Sequence, residues 1–597
     1  INMETILAFE ISDHKDQSLR SGKDNRIVRA LKNSLSYHSI ETINLKYSGG
    51  ETMSDNLIQR TASAYTYPLL IKNLLKAPVV DDPQQEIVYR DQARFTYAEF
   101  KQRIAKLANT LTELGVKAGD TVAVMDWDSH RYLECFYAVP MIGAVLHTVN
   151  IRLSPEQILY TIDHAEDDFL LVNEEFLPLL EQIKGRIDTV KAFVLLQDGQ
   201  QQPQTSINFA GEYESLLDSA NDHYDFPDFD ESTRATTFYT TGTTGMPKGV
   251  YFSHRQLVLH TLATIASLGT VVDQGRLHQK DIYMPITPMF HVHAWGLPYV
   301  ATALGIKQVY PGKYTPDMLL RLLDKEKVTF SHCVPTILHL LMNHPHFNEI
   351  DLTNWKVLIG GSALPKTMCK SLMEKGIDIY SGYGMSETCP ILSVAHVTED
   401  NLSEEEEAEV RCKTGRPIPL VDLRIVDENM EDIPADGQSV GEIVVRSPWL
   451  TQGYLKDQRH SETLWRGGYL HTGDVANKDK KNYIKITDRI KDVIKIGGEW
   501  ISSLEVEDII SAYSGIAEVA VIGLPDQKWG EKPVALVVKK EDAEVDEKAL
   551  QQHLRTFVER GMLSKQIVLL KVKFVDAIEK TSVGKVNKRL LRETYHN

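Results

Sequence analysis

Between Leu69 and about residue 380, short apolar runs alternate with segments that begin on helix-start signals. That rhythm restricts this part of the chain to parallel sheets covered by helices. Thr96-Tyr97-Ala98-Glu99 is a capping box. It opens a helix with an apolar stripe of Phe100, Ile104, Leu107, Leu111 and Leu114, closed by Gly115. The run Thr121–Asp126 follows as a strand. Ser154-Pro155-Glu156-Gln157 starts another helix with proline in its first turn. Phe169–Val172 and Ala192–Leu196 read as buried strands.

After Thr414 the texture changes. "DLRIVD", "GEIVVRS" and "NYIKITD" are short strands between turn residues, which predicts a β-rich subdomain. Asp488–Ser502 is charged and then glycine-rich, as a hinge would be. A last unit reads as strand, helix, strand: a helix over Ser503–Ser511, strands at Val519–Ile522 and "PVALVVKK", and a helix over Glu547–Glu559. Glu404–Glu407 reads as a solvated helix face.

The bulk numbers exclude several function classes. A length of 597 residues suits about three to five domains, or fewer large ones. A net charge of −17 disfavours a general nucleic-acid binder and tight attachment to an anionic membrane. The five cysteines show no CxxC spacing and read as reduced thiols, which points to the cytoplasm. No apolar run approaches the ~18 residues of a transmembrane helix, and the N-terminal residues lack a basic-then-apolar signal pattern. Residues 1–53 carry no motif and do not begin with Met. The expectation is an extension of unknown role, with a natural start at Met53.

The densest chemical signal is "YTTGTTGMPKGV", Tyr239–Val250. A Walker loop needs four residues between its first glycine and Gly-Lys-Ser/Thr. Here two residues separate Gly242 from Gly245, and Gly249 follows Lys248. A different phosphate cradle remains: backbone amides, the hydroxyls of Thr240, Thr241, Thr243 and Thr244, and the charge of Lys248. Behind it come "SGYGMSETCP" with Tyr383 and Glu387, "YLHTGDVA" with Asp474 after a Thr-Gly turn, Asp488-Arg489, and "KTSVGKVNKR" with Lys585.

That order of motifs resembles the adenylate-forming superfamily of acyl-CoA synthetases, luciferases and nonribosomal adenylation domains. The resemblance runs from about Leu69 to the C-terminus. "GAVLHTVNIRLSPEQI", "PMFHVHAWGLPY", "KTGRPIPLV" and "IKIGGEWISS" resemble its bacterial medium- and long-chain fatty-acid–CoA ligase branch. It implies an α/β fold: a large N-terminal AMP-binding domain over 54–488, with two helix-covered sheets and a β-rich subdomain. A hinge at 489–492 and a small mobile α+β domain over 493–597 would follow. The implied reaction is two-step. A carboxylate and ATP give acyl-AMP and pyrophosphate, and the CoA thiol then releases AMP and acyl-CoA. Stabilisation of the phosphoryl centre is chiefly electrostatic.

The resemblance also implies roles. Thr240, Thr241, Gly242, Thr243, Thr244, Gly245 and Lys248 would embrace the β- and γ-phosphates, and Thr240 and Glu387 would hold Mg²⁺. Tyr383, within Gly382-Tyr383-Gly384-Met385-Ser386, would stack on adenine, with Gly361-Ser362-Ala363 walling the base. Asp474 would accept the ribose hydroxyls, assisted by Arg489. Lys585 would bridge the carboxylate and α-phosphate. Rotation about Lys491 would then replace Lys585 by the loop Lys495–Trp500, where Gly497 and Gly498 give the pantetheine room and Glu499 and Trp500 complete the loop. His291 would orient the acyl carboxylate, and Trp295 would gate the acyl tunnel or serve only as core. His291-x-His293 alternates on a strand and could share a face, but it lacks a third metal ligand in sequence.

Two features depart from the family pattern. Glu579-Lys580 stands where Pro-Arg or Pro-Lys is usual, and Glu579 is expected to point away from Lys585. The N-terminal extension has no counterpart. Expected partners are a fatty acid, ATP and CoA, without nucleic acid or a transmembrane segment; peripheral membrane contact and a homodimer stay open. The alternatives are a CoA ligase for a short or sulfur-containing acid, an amino-acid-adenylating domain, a luciferase-like oxygenase, and a non-catalytic ATP-binding regulator. His291 after Phe290, where an amino-acid-activating domain places Asp, argues against the second. Lys585, Glu387 and Asp474 together argue against the last.

Overall fold

The structure, a computed structural model, describes residues 58–199, 201, 203–240, 246–496, 499–541, 543–560, 563–581 and 585–596, without the side chains of Glu499 and Trp500. The extension and its expected start at Met53 therefore lie outside the described residues, as do Thr241–Gly245 and Gly497–Gly498. Contacts divide the chain at Pro68, and the fold below lies in residues 68–597.

Four sheets are present among the described residues. The seven-stranded one runs Phe209–Glu212, Ala192–Leu196, Phe169–Asn173, Thr121–Met125, Val145–Thr148, Arg234–Thr240 and Lys248–Ser253. Its pairs are parallel except the last, where Arg234–Thr240 turns back antiparallel into Lys248–Ser253. The nine-stranded sheet is parallel at its centre and antiparallel at both ends. Its central strands include Phe330–Cys333, Lys356–Ile359 and Asp378–Gly384. Strands such as Thr121–Met125 are buried at every position, as sheets covered on both faces require.

The helix starts follow their local signals. Thr96 and Glu99 form a reciprocal capping box at the head of Tyr97–Glu113, and Ser154 and Gln157 do the same for Pro155–Ala165. Glu404–Cys412 is a helix whose Glu404, Glu405 and Glu406 are exposed. No helix among the described residues is long and apolar enough to cross a membrane.

The β-rich part is a four-stranded antiparallel sheet of Asp422–Val426, Gly441–Arg446, Leu470–Lys478 and Ile484–Arg489. One sequence expectation is corrected here. Asp474 does not follow a Thr-Gly turn; it lies inside the strand Leu470–Lys478. Gly473 has φ +71° where the register with Gly441–Arg446 shifts, so the Thr-Gly pair marks a bulge.

Beyond Arg489 a tight turn leads into a smaller unit: Asp492 and Val493 both donate their amides to the Arg489 carbonyl at 2.8 Å. The unit's five-stranded sheet includes the hairpin Ile494–Ile496/Glu499–Ile501 and the long pair Ile516–Asp526/Gly530–Lys539. Helices Ser503–Ser511, Glu547–Glu559 and Lys588–Tyr595 pack on it. The helices at Ser503–Ser511 and Glu547–Glu559 match expectation. The strand expected at Val519–Ile522 extends over eleven residues, and the final strand Lys571–Phe574 and helix Lys588–Tyr595 went unread.

Candidate active site

A cavity opens at the ends of Lys356–Ile359 and Asp378–Gly384, adjacent strands of the nine-stranded sheet. Gly360 and Gly361 form one wall, and Gly382-Tyr383-Gly384-Met385-Ser386 another. His291 and Trp295 enter from a turn, and Lys585 enters from the smaller unit. Gly361 has φ +79°, and a Cβ on it would lie 3.2 Å from Lys585 Cε, so a side chain there would crowd the lysine. Of the expected Gly361-Ser362-Ala363 wall, only Gly361 lines the cavity; Ser362 and Ala363 are exposed.

Tyr383, Asp474 and Arg489 form one bonded group. The Tyr383 hydroxyl donates to Asp474 Oδ2 at 2.7 Å, and Arg489 Nε donates to Oδ1 at 3.1 Å. Asp474 and Arg489 are direct cross-strand partners, so the backbone register aligns them. The Asp474 carboxylate raises the Arg489 guanidinium further above its ordinary range. Burial, and then Asp474, push the Tyr383 phenol well up.

A second group lies around Glu387. Its Oε1 accepts from the Tyr454 hydroxyl at 2.8 Å. Burial raises the Glu387 carboxyl above its usual value, opposed by Tyr454 and by the charges of Arg489 and Lys585. Lys248 Nζ lies 4.6 Å from the centre of the Tyr454 ring. Burial lowers the Lys248 ammonium, while Asp457 and Glu387 oppose the shift. Thr240 ends the strand opposite Lys248, as its cross-strand partner. Tyr454 thus joins Lys248 to Glu387, a part the sequence reading missed. Its local sequence, Gly453-Tyr454-Leu455, has no feature beyond an aromatic ring after a glycine.

The turn carrying His291 and Trp295 overturns the strand expected there. Val292, His293, Ala294, Trp295 and Gly296 have φ of +41°, +57°, +47°, +60° and +73°, a left-handed turn. His291 and His293 therefore share no strand face. Four consecutive non-glycine residues in this region carry strain, which the surroundings must impose. Two distant contacts hold its entrance. The Met289 amide donates to Asp128 Oδ1 at 2.9 Å, and Thr148 Oγ1 donates to the Phe290 carbonyl at 3.1 Å. Asp128 also accepts from the Tyr314 hydroxyl, and burial pushes its carboxyl up to about 7.

His293 is fully buried beside Phe136, Phe238 and Tyr299, and neither ring nitrogen has a hydrogen-bond partner. Among the described residues no three His, Cys, Asp or Glu side chains are placed to hold a metal. His291 is half-buried, and its imidazole is pushed down to about 3 by burial, with smaller contributions from Lys585 and Arg152. Trp295 lies against Gly360, where a Cβ would sit 2.9 Å from the indole Cη2. Behind Trp295 stands His332, ring centre 4.9 Å away, whose Nε2 lies 2.8 Å from the Tyr283 hydroxyl.

Lys585 is tied to Thr581: its carbonyl accepts from the Thr581 amide at 2.6 Å and its amide donates to Thr581 Oγ1 at 3.2 Å. Burial, and then Arg489, lower its ammonium to about 8, while Asp474 and Glu387 act to raise it. Glu579 is exposed, and Lys580 pairs at 2.6 Å with Glu518. Lys495 is exposed, with its amide donating to Glu531 Oε2 at 2.7 Å. Lys491, in the turn after Arg489, is exposed too.

The family model described as AMP-binding enzyme matches residues 76–455, and that of the AMP-binding enzyme C-terminal domain matches 505–585. The chain is 41% identical over 509 residues to a long-chain-fatty-acid–CoA ligase of Thermus thermophilus, covering 84% of this chain and 91% of that protein. It is 38% identical over 544 residues to a 3-methylmercaptopropionyl-CoA ligase of Ruegeria lacuscaerulensis, covering 89% and 98%. The crystal structure of ATP-bound MatB from Rhodopseudomonas palustris aligns with a TM-score of 0.75 at 25% identity, over 88% of this chain and 99% of that one. With one family model spanning most of the larger part and another most of the smaller, the chain belongs to the AMP-binding enzyme family.

Proposed function

We propose that the protein is an AMP-forming acid–thiol ligase that activates a fatty acid with ATP and transfers it to CoA. The observation that carries this reading is the meeting of Lys585, from the smaller unit, with His291 and Tyr383 in one cavity of the larger unit. The charges of Asp474 and Glu387 act on the same lysine.

In the first step ATP lies with adenine against Tyr383 and Gly361 and its ribose hydroxyls on Asp474. Arg489 keeps that carboxylate aligned. Lys248 and Thr240–Gly245 hold the β- and γ-phosphates, which leave as pyrophosphate. Lys585 donates to the acid's carboxylate and to the α-phosphate, screening charge as the oxygen attacks phosphorus. A neutral His291 positions the carboxylate, in keeping with its lowered pKa. Glu387 and Thr240 fit Mg²⁺: both offer hard oxygen donors, and a buried carboxylate whose pKa burial has raised favours a cation. Bound there, Mg²⁺ would neutralise phosphate charge. In the second step the smaller unit rotates about Lys491, bringing Lys495–Trp500 to the site for the thiol to attack.

A second reading is a ligase for a short or sulfur-containing acid. It is favoured by the 3-methylmercaptopropionyl-CoA ligase relative and by the bulk of Trp295, which lines the cavity against Gly360. In this reading Trp295 limits the acyl chain; in the fatty-acid reading it gates a longer tunnel. The test is CoA-dependent thioester formation with ATP and Mg²⁺, over straight-chain acids from acetate to stearate and 3-methylmercaptopropionate. The fatty-acid reading expects the highest kcat/KM at medium or long chain. A maximum at 3-methylmercaptopropionate or butyrate selects the second reading. Nucleotide binding without pyrophosphate release with any acid would refute both.

A further inference from the structure

We infer that Lys588, Ser503 and Asp488 form a latch across the hinge that holds Lys585 in its acyl-AMP-forming position. This rests on the two-step reading above and names the residues that would set its first pose. Asp488 belongs to the larger unit: it lies in the strand Ile484–Arg489 and pairs across the sheet with Val475. Ser503 begins the first helix of the smaller unit, and Lys588 begins its last helix. Asp488 Oδ2 accepts from both the Ser503 amide and the Ser503 hydroxyl, the latter at 2.7 Å. Lys588 Nζ donates to that hydroxyl oxygen at 2.6 Å and pairs with Glu507 Oε1 at 2.7 Å.

Asp488 and Ser503 are 1% and 0% exposed, and the Lys588 side chain 9%. Buried charge-assisted bonds of this kind are worth more than surface pairs, and cannot be exchanged for water in place. Glu507 is fixed in turn by the Val521 amide at 2.7 Å. Arg592, on the same helix as Lys588, pairs with Asp492 in the turn at 2.6 Å.

The geometry gives the latch a direction. Lys585 stands three residues before Lys588, so tying the head of the last helix to Ser503 and Glu507 fixes the loop that delivers Lys585. Tying Ser503 to Asp488 fixes the smaller unit against the larger. Rotation about Lys491 carries Ser503 and Lys588 but leaves Asp488 behind, so the Asp488–Ser503 bonds belong to one pose only. Lys588 and Ser503 touch neither cavity nor substrate; they are positioning residues.

The experiment measures the two half-reactions separately for Ser503→Ala, Lys588→Met and Lys585→Ala. Pyrophosphate release from ATP, Mg²⁺ and acid reports the first; thioester formation from supplied acyl-AMP and CoA reports the second. For Ser503→Ala and Lys588→Met the first should fall about ten-fold or more, the scale of one buried charge-assisted bond, with the second held within about two-fold or raised. Equal loss in both half-reactions, or no loss in either, overturns the latch. Lys588→Met leaves Glu507 without its ion-pair partner; if it does not fold, Ser503→Ala decides alone by the same criteria. Lys585→Ala separates the two ideas. If it spares acyl-AMP formation, the reading of that lysine fails. If it abolishes that step while Ser503→Ala and Lys588→Met behave as wild type, only the latch fails.

Discussion

Lys585 lines the cavity and Asp474 lies behind its Tyr383 wall, and the two are held in different ways. Asp474 lies within a sheet, opposite Arg489 in register, with both oxygens bonded to Tyr383 and Arg489. Lys585 belongs to the smaller unit, tied to Thr581 and held, beyond it, by side chains around Lys588. A position inside a sheet of the larger unit cannot leave without breaking backbone ladders; a residue carried by the smaller unit can move with that unit. On the proposed reading, Asp474 would bind nucleotide in both steps, whereas Lys585 would serve one step and withdraw.

Substitutions can break or sharpen that contrast. The largest effect is expected from Lys585→Ala, which should lower acyl-AMP formation by at least ~100-fold, the scale of one lost electrostatic contact to a transition state. Rapid-quench measurement of acyl-AMP checks it. Asp474→Asn should weaken nucleotide binding by about 10- to 100-fold in both half-reactions, because a charge-assisted acceptor is lost from a site used throughout. Calorimetric titration with ATP and with AMP reads this out; a loss confined to one half-reaction would erase the contrast.

A pH profile comes next. Lys585 sits lowered to about 8, and on the proposed reading its protonated form would screen the phosphoryl centre. First-step kcat/KM should therefore hold below about 8 and fall as pH rises through it. In kcat the limb should move upward, since bound phosphate favours the charged amine. The smallest effect is expected from Tyr454→Phe. It removes one hydrogen bond from Glu387, so the apparent Mg²⁺ requirement should rise by roughly three- to ten-fold with folding intact.

The parts legible in the sequence were those fixed by neighbours in the chain. The capping boxes at Thr96 and Ser154 declare their helices within four residues, and both appear as read. The motif order behind Tyr239–Val250 brought Tyr383, Asp474, Arg489 and Lys585 to one region of the fold. What escaped was fixed by distant parts of the chain. The left-handed turn at Val292–Gly296 depends on Asp128, more than 160 residues earlier, bonding the Met289 amide. A local reading sees only alternating residues and expects a strand. Tyr454 joins Lys248 to Glu387 through the fold alone, and Gly473 signals a turn while forming a bulge. In sequence Lys588 is one of several basic residues after Lys585; only its contacts with Ser503 and Glu507 distinguish it.

The central claim is that Lys585 serves the first half-reaction and not the second. Its most direct test is single-turnover thioester formation by Lys585→Ala supplied with synthetic acyl-AMP and CoA. The two-pose account predicts a rate close to that of the unaltered protein, with acyl-AMP synthesis by the same preparation nearly abolished. Parallel loss of thioester formation would contradict it, placing Lys585 at the reacting centre in both steps.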